Sequence, residues 1–427
     1  MKLEYLSRIA DKVLDNALEA SGAVLIEGPK WCGKTRTAEE KAASALYMQD
    51  PDYTASYLKA ADVKPSLLLK GDAPRLIDEW QMAPVLWDAV RFAIDQRGEN
   101  GQFILTGSAV PKDNAVQHTG TGRISRMLMR PMSLFESLES NGTISLKSLF
   151  NGTVDGESSS SLTIEGLAFA LVRGGWPASV SQSASIEIAE SVALQQVYNY
   201  VDAVINIDVS RVDDVQKSPA RIRALMRSLA RNVSTTVSIA TIHRDIAASE
   251  QTISENTISV YLNVLRRIFV VEDLPSWNPV MRSKTALRTT PKRHFVDPSI
   301  ATAVLRANSE SLLFDFNTFE LLFESLCIRD LRVYAQAIDG EVFHYRDKSS
   351  LEADAIVHLK DGRWGAIEVK MGAKEIETAA ENLKILRDKI NLNKMKEPSF
   401  LMVLTAGELG YKRDDGVYVI PIGCLRD

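Results

Sequence analysis

AVLIEGPKWCGKT, residues 23–35, decides how this 427-residue chain is read. Ala23 to Glu27 is a short apolar, partly β-branched run of the kind that forms a buried strand, and the following TRTAEEKAASAL has helical character. Between them Gly28 and Gly33 bracket four residues and are followed by Lys34 and Thr35, the pattern G-x-x-x-x-G-K-(S/T) in its strand-to-helix context. Such a loop wraps a polyanion because glycines let successive backbone N–H groups converge and the next helix presents its positive end. Gly28, Pro29, Lys30, Trp31, Cys32, Gly33, Lys34, Thr35 and Arg36 are therefore the expected cradle for ATP. Lys34 reaches the β and γ phosphates and the Thr35 hydroxyl binds Mg²⁺. A glycine-rich turn without chemistry is the bland alternative, disfavoured because motif, strand and helix coincide. Cys32 is either a small filler or a thiol with a pKa lowered by the helix N-terminus.

A nucleotide loop needs a carboxylate on the metal side. RLIDE supplies Asp78 and Glu79, 44 residues beyond Lys34 (78 − 34). Asp78 is expected to hold Mg²⁺ through water and Glu79 to polarise the attacking water. QFILTGS ends a further buried strand in Thr106 and Ser108; either these hydroxyls sense the γ-phosphate or the strand simply turns there.

Length implies two to four domains. A charged fraction of 25% and an apolar fraction of 45% are those of a globular protein, and a net charge of −5 excludes coating nucleic acid by bulk charge. The first twenty residues carry Leu6, Ile9, Val13 and Ala17 at helical spacing among charges, unlike a signal peptide, and no stretch approaches 18 uninterrupted apolar residues. Three scattered cysteines suggest a reduced, cytoplasmic setting without membrane contact. Asn141-Gly-Thr and Asn151-Gly-Thr read as turns.

GPKWCGKT, LIDEWQ, FILTGS and HTGTGRISRMLMRPMSLFE, in that order over residues 20–137, resemble the bacterial and archaeal AAA-type ATPases. The resemblance implies a three-layer α/β domain that binds and hydrolyses ATP with Mg²⁺, and assembly into homo-oligomers is common in that group. Arg123 falls in the family's Gly-Arg position, where an arginine stabilises γ-phosphate charge within the chain or across a subunit interface; a surface ion pair is the competing role.

Downstream, residues 138–162 are rich in Ser, Gly and Asn and read as a linker. Residues 163–300 read as helical. Within them, 236–280 place a helix, a turn, a second helix with Ile258, Tyr261, Leu262 and Leu265 in one stripe, and the run FVVED, the outline of a winged helix. Arg282, Lys284, Arg288, Lys292 and Arg293 follow, either phosphate contacts to DNA or a solvated loop.

Residues 301–427 read as an α/β domain of their own, with RVYAQAI, EVFHYR, EADAIVHL and WGAIEVK as strands, then a charged helix, FLMVLTA and VYVIPI. Glu368 and Lys370 share a face of one strand and Asp354 can face them from the next, a candidate Mg²⁺ site for phosphodiester hydrolysis; solvated alternation is the plain alternative. With Glu324 on the preceding helix, the set Glu324, Asp354, Glu368 and Lys370 resembles the PD-(D/E)XK restriction-endonuclease-like fold. That resemblance implies Glu324, Asp354 and Glu368 as metal ligands and Glu368 and Lys370 as catalytic groups. Glu352-Ala-Asp354 replaces the literal Pro-Asp, which leaves cutting open. Three functions follow as expectations: an ATPase governing DNA-associated domains, a nucleotide-dependent switch with an inactive nuclease-like domain used for protein interaction, and an ATP-dependent metal nuclease.

Overall fold

The computed structural model describes residues 5–107, 120–180, 186–209, 218–248, 253–279, 290–391 and 395–427. These fall into two compact units, the first built on residues up to Pro131 and the second from Met132 onward, with the short segment Arg267–Phe269 grouped with the first.

In the first unit five parallel strands, β1 (Ala23–Glu27), β2 (Ser44–Tyr47), β3 (Arg75–Asp78), β4 (Phe103–Thr106) and β5 (Ile124–Leu128), lie in the order β2-β3-β4-β1-β5. Alternate residues feed two cores, as the period of a strand requires. Val24, Ile26, Leu76, Ile104 and Met127 pack with Leu14 and Leu18 of helix α1 (Ile9–Ala20). Leu25, Ile77, Phe103 and Leu105 pack on the other face with Leu86, Trp87 and Val90 of helix α4 (Val85–Arg97). Three layers result. Helix α2 (Lys34–Lys41) starts directly on the loop after β1, and helix α3 is Thr54–Val63.

One segment differs from the sequence reading. The helical stretch read through Leu46 ends at Ala42, and Ser44–Tyr47 become β2, because Ala-rich sequence follows either path and pairing with β3 decides. The apolar run SLLLK is no strand; Pro65, just before it, starts a 3₁₀ turn over Pro65–Leu67.

The second unit carries a seven-stranded sheet in the order β7-β12-β13-β11-β10-β9-β8. Its strands are β7 (Ser158–Ser159), β8 (Gly340–Arg346), β9 (Glu352–Leu359), β10 (Trp364–Lys370), β11 (Phe400–Thr405), β12 (Leu409–Lys412) and β13 (Tyr418–Pro421). A parallel pair, β6 (Ile144–Ser145) with β14 (Leu425–Arg426), stands apart from it. Residues 138–162 are thus no linker. They supply β6, the helix Leu146–Phe150 and β7, and their polar residues close turns: Ser145 caps the helix and the Asn141 side chain accepts from Thr143 N–H. RVYAQAI is not a strand either. It completes the 22-residue helix Phe316–Ala337, whose buried Leu331, Val333, Tyr334 and Ala335 continue an apolar face with no breaker before Asp339 and Gly340.

Before that helix come Ile164–Arg173, Ile186–Ala203, Pro219–Arg231, Ile239–Ala247, Glu255–Arg267 and Pro298–Leu305. After Glu255–Arg267 the chain makes antiparallel bridges, Val271 with Phe295 and Leu274 with Lys292. Among the described residues no helix is long and apolar enough to cross a membrane.

Candidate functional site

The C-terminal edge of the parallel sheet, where ligands of open α/β sheets bind, carries the loop Gly28–Gly33. Gly28 has φ +149°, and a Cβ there would lie 2.1 Å from the Met129 carbonyl oxygen, so only glycine lets the loop run this close to the chain leaving β5. Gly33 has φ +102° and hands directly into α2. Cys32 is fully buried with Sγ 3.5 Å from the Met129 oxygen, the place of a small filler. Trp31 holds φ +66° and is exposed.

Beneath the loop the sheet gathers a polar knot. Thr35 Oγ1 donates to Asp78 Oδ1 at 2.9 Å, the Thr106 hydroxyl donates to the same oxygen, and Gln49 Nε2 donates to Oδ2 at 2.6 Å. Because β4 intervenes between β1 and β3, Thr106 sits between the loop threonine and the carboxylate. Asp78 is buried, and its partners keep both oxygens on the loop side. A hydroxyl and a carboxylate at this separation are hard oxygen donors of the kind Mg²⁺ takes, directly or through water, so the residues fit the ion. Lys34 is buried, with Nζ donating to the carbonyls of Gly28 at 2.9 Å and Pro29 at 2.7 Å, which holds its charge on the rim of the cradle.

Glu79 follows Asp78 in a left-handed conformation, φ +55° and ψ +42°, that turns its side chain out of the strand. Burial, then the charge of Asp78, raises its pKa, while a hydrogen bond from Gln81 Nε2 and the more distant Lys34 and Lys30 oppose the rise. Arg36 pairs with Glu39 and Glu40 and stacks over Tyr5. Ser108 lies outside the described residues.

Arg123 does not join this group. It precedes Ile124, which pairs with Ala23 at the start of β1, whereas the loop leaves the far end of β1. Five strand residues, about 16 Å, separate the two edges. Its Nε donates to Asp95 Oδ1 at 2.8 Å, so the surface ion pair, not a phosphate contact within the chain, is what the geometry provides.

Arg8 and Gln49 carry no motif and were not legible beforehand. Arg8 is buried and donates to two carbonyls at once, Cys32 in the loop and Arg130 beyond β5, each at 2.9 Å. It fastens the loop to the sheet from a residue 24 positions upstream.

In the second unit the four residues singled out from sequence do converge. Asp354 Oδ2 accepts from Val369 N–H at 3.0 Å and lies 3.8 Å from Lys370 Nζ, which is 3.1 Å from Glu368 Oε2. The centre of the group is Lys292, whose Nζ is 2.8 Å from Glu324 Oε1 and 2.9 Å from Asp354 Oδ1. Glu324, Asp354 and Glu368 therefore do not fit the metal set expected of them: among the described residues no trio of carboxylate, histidine or cysteine groups is placed to hold a metal ion, and an ammonium fills the space between two of the three. Burial first, and Asp354 second, push Glu324 up to about 8 against the pull of Lys292. Burial and then Asp354 push Glu368 up to about 8 against Lys370. For Asp354 burial is outweighed by Lys292 and Lys370, which hold it ionised below its usual range.

Lys292 and Arg293 were grouped with a basic surface run. Both are buried: Arg293 Nη1 donates to Asp273 Oδ2 at 2.6 Å. Neither is a phosphate contact. Arg282, Lys284 and Arg288 lie outside the described residues. Exposed cations appear instead on the helix Pro219–Arg231, where Arg223, Arg227 and Arg231 recur every fourth residue. With Arg306, the first two line a cavity of about 570 Å³.

The parallel sheet, the glycine cradle and the Thr35–Asp78 pair define the N-terminal unit as a P-loop ATPase domain. Residues 20–138 match the family model of an AAA domain. Residues 164–311 and 319–425 match two further family models, DUF8612 and DUF4143, each described as a domain of unknown function. No curated protein matches the chain. Among solved structures, a Walker-type ATPase of Pyrococcus abyssi is 15% identical, covers 71% of this chain and 97% of its own, and superposes with a TM-score of 0.45. The replication initiator DnaA bound to AMPPCP and single-stranded DNA is 15% identical over 61% of this chain and 90% of its own, with a TM-score of 0.30. These overall likenesses are loose, and the assignment rests on the N-terminal match and its geometry.

Proposed function

We propose that this chain binds and hydrolyses Mg²⁺-ATP at the loop Gly28–Thr35, and that its nucleotide state controls a DNA-associated winged-helix region and a nuclease-like C-terminal domain. The observation that carries the first part is the knot of Thr35, Asp78, Thr106 and Gln49 directly under a loop whose Gly28 leaves no room for a Cβ. Mg²⁺, when bound at Thr35 and Asp78, supplies charge neutralisation for the β and γ phosphates. Lys34 exchanges its two loop carbonyls for phosphate oxygens. Glu79 accepts the proton of the water whose oxygen forms the new bond to the γ-phosphorus as the bond to the β–γ bridging oxygen breaks; a carboxylate with a raised pKa is the better base. Thr106, through Asp78, links the end of β4 to the state of the loop, and loss of γ-phosphate contacts releases such an element.

Support for the DNA part is the three helices Pro219–Arg231, Ile239–Ala247 and Glu255–Arg267, followed by the antiparallel bridges of a short wing, together with the arginine stripe. Steady-state ATP turnover tests the first part. Glu79→Gln should keep nucleotide affinity and lose about 10²-fold or more in turnover; undiminished turnover removes Glu79 from the reaction. Fluorescence anisotropy with a short duplex, across a salt series with and without nucleotide, tests the second. Arg223→Ala/Arg227→Ala should flatten the salt slope by roughly two. No binding in either nucleotide state ends the DNA reading and leaves the ATPase reading standing.

A further inference from the structure

We propose that the carboxylate cluster of the C-terminal domain is occupied by the chain's own cation, the Lys292 ammonium, in place of a divalent metal, so that this nuclease-like domain does not cut phosphodiesters. The inference is independent of the ATPase reading.

A hard cation shared by Glu324 and Asp354 must sit about 2.0–2.6 Å from one oxygen of each. Lys292 Nζ already touches Oε1 of Glu324 and Oδ1 of Asp354 at 2.8 and 2.9 Å, and an ion approaching those oxygens from the same side overlaps the ammonium. The remaining oxygen of Asp354 is engaged too, by Val369 N–H at 3.0 Å. Formal charge points the same way. Two ammoniums, Lys292 and Lys370, face Glu324, Asp354 and Glu368; even with all three carboxyl groups ionised, an added divalent ion would set four positive charges against three negative ones in a buried site.

Lys292 is also no surface side chain that has wandered in. Its backbone is bonded in both directions to Leu274, N–H to carbonyl at 3.0 Å and carbonyl to N–H at 2.9 Å, and the residue is buried. On the next residue, Arg293 N–H donates to the Thr235 carbonyl at 2.9 Å and its side chain to Asp273 at 2.6 Å. His294 follows with its ring against Ser325 Oγ at 3.2 Å, on the same helix as Glu324. Three successive residues therefore hold the strand, and the lysine is delivered by the wing-like bridge that follows the helix Glu255–Arg267. That element plugs the carboxylate site of the α/β domain and ties the two together through one buried ion-pair network. The domain then serves as a fixed platform, and the carboxylates that resemble a nuclease site serve as the socket for the plug.

The test titrates full-length protein with Mn²⁺ alone, without nucleotide, following the free-ion electron paramagnetic resonance signal. Wild type and Glu368→Gln should take up the same Mn²⁺ to millimolar concentration. Lys292→Met, which keeps an unbranched stem that ends where the ammonium began and removes the charge, should gain one further equivalent that the added Asp354→Asn change abolishes. A wild-type equivalent lost in Glu368→Gln overturns the proposal, as does a cooperatively folded Lys292→Met protein that gains none. Should Lys292→Met not fold, incubation of wild type with supercoiled plasmid and Mn²⁺ still decides: intact plasmid supports the plug, and cutting that Glu368→Gln abolishes refutes it.

Discussion

Arg8→Ala should weaken ATP binding although Arg8 is not itself an expected nucleotide contact. Its guanidinium holds the carbonyls of Cys32 and Arg130, each at 2.9 Å, and so pins the middle of the phosphate loop to the chain beyond β5. A hydrogen bond from a charged group contributes about 1.5–3 kcal/mol, so two are worth on the order of 3–6 kcal/mol in gross terms. Freeing a long side chain returns up to about 2 kcal/mol of rotamer entropy, and solvation of the abandoned carbonyls offsets more. A net loss of roughly 1–2 kcal/mol in loop order is the reasonable expectation. Affinity falls by the fraction of molecules whose loop is ordered, and about 1.4 kcal/mol corresponds to a tenfold rise in Kd. Isothermal titration with Mg²⁺-ATP, alongside a thermal melt without nucleotide, measures both halves. Arg8→Lys, a single point charge without the fork, should fall between wild type and alanine. An Arg8→Ala protein with Kd within twofold of wild type and an unchanged Tm would refute the claim that this clamp organises the loop.

Arg123→Ala should leave ATP affinity unchanged and cost below about 1 kcal/mol of stability, because a half-exposed ion pair with Asp95 contributes little; a large loss of affinity on titration would place Arg123 at the nucleotide after all. Stability should also depend on pH through Glu324 and Glu368. Each is pushed up to about 8 from an ordinary 4.5, so the stability that goes with their protonated forms is complete below about 4.5 and is lost as pH rises toward 8. His294 and His344, held below 6.5 by burial, contribute the opposite slope only at lower pH. Between about pH 7 and pH 8.5 the wild-type Tm should therefore fall, and Glu324→Gln should flatten that fall; a Tm that rises over this interval in wild type would contradict the assigned shifts.

The cradle was readable because its chemistry is local: glycine spacing, the lysine and threonine, and an apolar strand before them sit within thirteen residues. Asp78 and Glu79 could be added because a short apolar run ends in them. The strands β9 and β10 were likewise legible from their alternation. What escaped was set by tertiary pairing. Ser44 to Tyr47 has no strand signature of its own and becomes β2 only beside β3. Residues 138–162 look like solvated linker by composition, yet their serines and asparagines are caps and turn bonds within a folded edge. Lys292 illustrates the limit most clearly: five cations in twelve residues suggest a phosphate-binding surface, and nothing in their order says that this one turns inward to Glu324 and Asp354, 32 and 62 residues away. Arg8 is the same case in reverse, a lone cation on the approach to an amphipathic helix whose partners lie up to 122 residues distant.

In the proposed function the loop Gly28–Thr35 holds the phosphates of ATP with Lys34 as its ammonium. Isothermal titration of wild type and Lys34→Ala with Mg²⁺-ATP puts that to the test. Wild type should bind one nucleotide, and Lys34→Ala should lose affinity by on the order of a hundredfold, about 2.7 kcal/mol. Equal affinity in the two proteins, or none in wild type, would contradict the account.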